Sequence, residues 1–191
     1  MIMDINERSK EYAEGKALFA LNAAIEQAYK DGYNDGLKHL ELERLEAIKE
    51  GVEYVDLGLP SGTLWSSICI SDGLKSRLFP YTEASKLSIP TKEQFEELIH
   101  NCKHQSIYGV NSVDGYFFIG KSGKRITVPF VEIEEISRGI KNFYFWLRDD
   151  NASDCRDSAV NSYRNAESPF TTEKIFMGYK LPVMLVKNIK D

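Results

Sequence analysis

From Ile5 to Ile48 the chain has no proline, and Ala, Leu, Glu and Lys dominate. These are strong helix formers, so the segment predicts a long helical arm. Leu18, Leu21, Ile25 and Ala28 recur at steps of three, four and three residues, which places them on one helical face. Tyr33, Leu37, Leu40, Leu45 and Ile48 continue an apolar stripe on a rotated face. Gly32 and Gly36 lie between the two stripes. Each costs a helix about 1 kcal/mol relative to Ala, which predicts a kink or a break there, giving two helices. An amphipathic helix cannot bury its own stripe. It must fold back on its own domain or pack on further copies of the chain. The second outcome is the expectation, with Leu18, Leu21, Ile25, Tyr33, Leu37 and Leu40 as the oligomer interface. The stripe is too short and too Gly-broken to fix an oligomer number. Asp31, Asp35 and Gly36 bear a superficial likeness to a calcium loop, but the spacing fails the twelve-residue pattern.

Composition changes at Gly51, so the arm is read as residues 1–51 and a domain as 52–191. The ten Tyr, ten Phe and two Trp of the chain favour a packed, strand-rich domain over disorder. The arm carries seven Lys or Arg against eleven Asp or Glu, and the other 140 residues carry 17 against 18. Neither part is basic, so no nucleic-acid partner is expected. No run of 18 apolar residues occurs, so no membrane span is expected. Met1–Lys10 shows no apolar segment behind a basic start. The expected location is therefore the cytoplasm as encoded, or a virion or cell surface reached without a classical signal. Cys69, Cys102 and Cys155 are odd in number and widely spaced, which suits free thiols, and no zinc-ligand spacing is present.

Within the domain, Val52–Asp56 predicts a short strand, Pro60-Ser61-Gly62 a turn, and Thr63–Trp65 a second strand whose Trp65 anchors the core. Thr91 and Gln94 form a capping box at the start of a helix with Phe95, Leu98 and Ile99 on its apolar face, ending near Cys102. Tyr116–Ile119 and Arg125–Phe130 flank Lys121-Ser122-Gly123-Lys124, a hairpin signal with Gly123 as the left-handed residue. Phe143–Leu147, about Ser158–Tyr163, and Leu181–Val186 read as further strands. The fold class is α+β.

The phrase Tyr54-Val55-Asp56-Leu57-Gly58-Leu59-Pro60-Ser61-Gly62-Thr63-Leu64-Trp65 closely resembles the start of a paralogous domain abundant in gut Bacteroidales and Fibrobacter proteins. That family looks like a non-catalytic branch of the C-type-lectin-like, formylglycine-generating-enzyme-like fold. Phe79–Ala84 and Ile89–Leu98 resemble its two helices, Val113–Tyr116 and Ile126–Pro129 two middle strands, and Phe143–Trp146 a late strand. The likeness covers roughly residues 54–186. It implies a C-type-lectin-like domain preceded by the helical arm. The end of the domain departs from the pattern, since Gly178–Val186 replaces the family's Gly-x-x-Val-Arg-Pro-Val strand.

One dense polar cluster, Arg148–Ser158, lies between two expected strands and reads as a surface loop. Its carboxylates could supply oxygen ligands for calcium, but Arg148 and Arg156 compete for them, so no metal is expected. Some C-type-lectin-like proteins of bacteria and phages display a late, diversified surface rich in Asn, Tyr, Ser, Asp and Arg. Residues 148–165 resemble that composition, which makes Trp146, Arg148, Asp149, Asp150, Asn151, Asp154, Asn161, Tyr163 and Arg164 the candidate ligand-binding residues. Catalysis finds little support. Formylglycine-generating enzymes use a paired-cysteine copper site late in the fold, and this chain has Cys155 alone there. No nucleophile elbow, phosphate-binding glycine loop or His-Glu-x-x-His occurs, and no cofactor is expected. His100 and His104 are four apart, but the helix ends between them and no third ligand is evident. The expectation is a non-enzymatic module for a protein or glycan ligand, displayed on a self-associating arm. The alternatives are an assembly protein whose arm is the main interface, or a fold-related oxidase-type enzyme.

Overall fold

The structure is a computed structural model, and it describes residues 5–72, 75–110, 113–137, 141–150, 153–161 and 169–188. The chain is an α+β protein with an N-terminal helix, and it divides into two compact units, Met1–Glu50 and Gly51–Asp191. The first unit is the helix α1, Ile5–Glu50. Its 46 residues span about 69 Å at 1.5 Å each. It runs through Gly32 and Gly36 as one continuous helix, so the break into two helices does not occur. The two glycines together cost roughly 2 kcal/mol relative to Ala, and the good helix formers on both sides propagate through them. Apart from the helix's own backbone, nothing among the described residues lies within 4 Å of where a Cβ would stand on either.

The second unit opens with strands β1 (Tyr54–Asp56), β2 (Thr63–Ser66), β3 (Ser71–Asp72), β4 (Lys75–Ser76) and β5 (Phe79–Pro80). Helices α2 (Tyr81–Ala84) and α3 (Lys92–Asn101) follow. Next come β6 (Lys103–Val110), β7 (Val113–Ile119), β8 (Arg125–Val131), α4 (Glu134–Ser137), β9 (Asn142–Trp146), β10 (Cys155–Asn161) and β11 (Phe170–Phe176). Strands β12 (Lys180–Leu181) and β13 (Val186–Asn188) complete the unit.

The turn between β1 and β2 forms as its residues dictate. Gly62 takes a φ of 74° and its N–H donates to the Leu59 carbonyl at 2.9 Å. Strand β2 is the middle of a three-stranded sheet. Val55 of β1 pairs with Trp65 from one side and Val186 of β13 from the other. Strands β6 to β11 form a six-stranded antiparallel sheet in simple chain order. The step from β8 to β9 is narrow, with register pairs at Phe130↔Phe143 and Val131↔Asn142. The sheet curls there, and Phe170 at the start of β11 meets His104 of β6 at 5.0 Å and Tyr116 of β7 at 4.9 Å between ring centroids.

Helix α3 begins as its capping box specifies: Thr91 Oγ1 accepts from the Gln94 N–H and Gln94 Oε1 accepts from the Thr91 N–H. Its buried Phe95 lies 5.5 Å from Phe145 and 6.2 Å from Phe143, and Trp65 lies 6.3 Å from Phe145. Burying such rings contributes about 1.5–3 kcal/mol each, and together they tie β2, α3 and β9 into one core. Segment 181–186 is buried throughout but is not one strand, which corrects the expectation for Leu181–Val186. Pro182 has no N–H for a ladder. The carbonyls of Pro182, Val183 and Leu185 instead accept from Trp146, Ile70 and Ser66.

Candidate functional site

The residues expected to form a recognition surface part company in the structure. Phe143 to Leu147 are all buried, so both faces of the end of β9 are covered. Trp146 is 0% exposed, which corrects its assignment to a ligand surface. Its indole N–H donates to the Phe79 carbonyl at 2.7 Å, and its ring meets Tyr81 edge to face at 5.4 Å. The pair β5–β12 supplies that cover, since Phe79 lies opposite Leu181.

Asp149 is also buried rather than displayed. Its carboxylate accepts from the Lys174 ammonium and, at 3.1 Å, from the Asp157 N–H. Lys174 reaches Asp157 as well, at 3.1 Å. The hydrogen bond to Asp149 comes first among the causes that raise the Lys174 pKa above its ordinary value. The Asp149 backbone is clamped in turn. The Tyr81 hydroxyl donates to the Asp149 carbonyl and accepts from its N–H, both at 2.8 Å. Asp149 therefore anchors the loop and has little capacity left for a ligand.

Asp150 and Asp154 are exposed. Asn151, Tyr163 and Arg164 lie outside the described residues, as does the side chain of Asn161, whose backbone ends β10. Among the described residues no group of three or more His, Cys, Asp or Glu side chains gathers to hold a metal ion. His100 and His104 diverge. His100 Nδ1 lies 2.6 Å from the Glu96 carbonyl of its own helix, whereas His104 on β6 packs on Phe170. The three cysteines are free thiols. Burial raises the Cys69 pKa, and burial with the nearby Glu97 charge pushes Cys102 up to about 11.

Arg148 is placed differently from its neighbours. Its N–H donates to the Pro90 carbonyl at 2.7 Å and Nη2 donates to the Leu87 carbonyl at 3.0 Å. It pairs in a short parallel bridge with Thr91, next to α3. Held in this way, it lines a cleft of 420 Å³ together with Tyr54, Ser88, Ile89, Val186 and Lys187. Tyr54, Ser88 and Lys187 carry no local signature of a site. They come from β1, the loop before α3 and β13, and only the fold assembles them.

On α1, Leu21, Ile25, Tyr33, Leu37 and Leu40 are between 49% and 64% exposed. The side chain of Leu18 lies outside the described residues. No helix among the described residues is long and apolar enough to cross a membrane. Comparison with protein-family models, with curated proteins and with solved structures gives no match.

Proposed function

We propose that the protein is a non-enzymatic binding module, its domain of C-type-lectin-like type, carried on a helix that self-associates. The observation that carries this reading is the set of large apolar side chains left exposed along α1, Leu21, Ile25, Tyr33, Leu37 and Leu40, which winds around the helix rather than keeping to one face. A helix of this kind gains stability by covering its stripe, and a second copy of the same helix offers a matching surface. Full burial of such a side chain contributes about 1.5–3 kcal/mol and these are 49% to 64% exposed, so cover along most of both helices is what offsets the cost of association. Support for the fold reading comes from the Tyr54–Trp65 phrase together with the flanking of β2 by the first and last strands of the domain. The domain's own partner is then a protein or glycan ligand, and the second partner is another copy of the chain.

Light scattering on the full chain tests the reading. The wild type is expected to run as an oligomer, and the double variant Ile25→Asp, Leu37→Asp as a monomer with an unchanged domain. A monomeric wild type would remove the self-association. A second reading, an assembly protein whose domain loops are inert, draws on the burial of Trp146 and Asp149. It differs in expecting no ligand for the domain.

A further inference from the structure

We infer that the cleft at Arg148 and Lys187 is a binding site for a small organic anion, one whose carboxylate or phosphate group lies between the two cations. This rests on the binding half of the reading above, narrows its glycan ligand to an anionic sugar unit, and does not depend on the arm.

Charge is the first support. Two cationic side chains line the cleft, and none of its lining residues among the described residues is Asp or Glu. A concave wall with charge of one sign concentrates the field and raises the local concentration of the opposite ion. Preorganisation is the second. The Leu87 carbonyl takes an N–H from Nη2 of Arg148, while the bond from the Arg148 backbone to Pro90 fixes the base of the side chain. A guanidinium held at one edge presents its fork in a fixed direction, which suits carboxylate or phosphate oxygens. Little rotamer entropy then remains to be lost on binding. The third support is the mixed wall. The half-buried Tyr54 ring offers an apolar face with a hydroxyl at its end, and the exposed Ser88 brings a second hydroxyl. Burial raises the Tyr54 pKa, so its phenol stays protonated and able to donate at neutral pH. One aromatic face with several convergent polar groups can hold a small polar molecule, and 420 Å³ falls in the usual range of about 300–1,000 Å³. A bare inorganic ion would leave the Tyr54 ring and the two hydroxyls unused, which favours an organic anion with a hydroxyl-bearing body.

Isothermal titration of the full chain at low salt tests the site with four probes: glucuronate, glucose 6-phosphate, inorganic phosphate and neutral glucose. Glucuronate, glucose 6-phosphate or both are expected to bind more tightly than inorganic phosphate, and glucose is expected not to bind. The preference between the first two tells a carboxylate site from a phosphate site. Lys187→Gln, an exposed position, is expected to weaken the preferred anion about tenfold with the melting temperature unchanged. Arg148→Gln should weaken it further, and added salt should do the same. The inference is overturned if neither organic anion binds, if glucose binds as well as they do, or if Lys187→Gln leaves the affinity intact. The Ile25→Asp, Leu37→Asp variant is expected to bind the anion as the wild type does. A monomeric wild type that still binds would therefore sink the self-association alone.

Discussion

Replacing Trp146 with Phe separates a packing role from a recognition role at one residue. The indole N–H is the donor to the Phe79 carbonyl at 2.7 Å, and the residue is fully buried. Phenylalanine keeps a ring against Tyr81 but has no donor, so that carbonyl loses its indole partner. An uncompensated buried acceptor costs about 1–3 kcal/mol. The smaller ring leaves a gap that adds about 1 kcal/mol. The expected loss is thus about 2–4 kcal/mol, which lowers the melting temperature of a domain of this size by roughly 6–15 °C. Trp65 remains as the single reporter in the variant, so urea or thermal unfolding is read from its fluorescence. The slope of free energy against urea should stay constant while the midpoint falls. A loss below about 0.5 kcal/mol, the level of a surface substitution, would refute the packing role and return Trp146 to the recognition surface.

A Cβ on Gly120 would stand 2.0 Å from the Leu57 carbonyl oxygen and 2.7 Å from its Cα, both backbone atoms. Gly120→Ala must therefore push the β1–β2 turn away from the β7–β8 hairpin, at a cost of about 3 kcal/mol, and a wild-type denaturation midpoint would contradict that contact. Among the thiols, Cys155 is half-buried while Cys69 and Cys102 are buried. Iodoacetamide followed by mass spectrometry should label Cys155 first at pH 8, with labelling of Cys102 rising about tenfold per pH unit toward its pKa of about 11. Equal rates at Cys102 and Cys155 at pH 8 would argue against that burial. Both buried thiols hold their protons more tightly folded than unfolded. Their contribution to stability is therefore complete below the ordinary thiol value of 9.0 and declines as pH rises above it.

What the sequence made legible was mostly local. The capping box at Thr91 and Gln94 needs residues three apart, and Gly123 occupies the positive-φ position of its hairpin at 79°. Trp65 follows a Pro-Ser-Gly turn and lies at the centre of the core. Helix α1 is continuous where two glycines suggest a break, because two isolated glycines are weak against a long run of helix formers. Trp146 and Asp149 are buried where a surface was expected, for a different reason. A polar run after a strand looks solvated, yet here β5, β12, Tyr81 and Lys174 close over it. Strands β6 and β11 carry largely polar or exposed residues and had no alternation to announce them. The cleft could not be read at all, because Tyr54, Ser88, Arg148 and Lys187 are joined only by tertiary structure.

The self-associating arm is tested most directly by the concentration dependence of its melting. Helix α1 holds 46 helical residues against 4, 10 and 4 in α2, α3 and α4, so ellipticity at 222 nm follows chiefly the arm. Both tryptophans lie in the domain, and their fluorescence follows that unit alone. If the arm folds by pairing with further copies, mass action adds about 1.4 kcal/mol of apparent stability per tenfold increase in protein for a dimer. The expected result is a 222 nm midpoint that climbs over a hundredfold range of concentration while the fluorescence midpoint stays fixed. A 222 nm midpoint that does not move would contradict the self-associating helix.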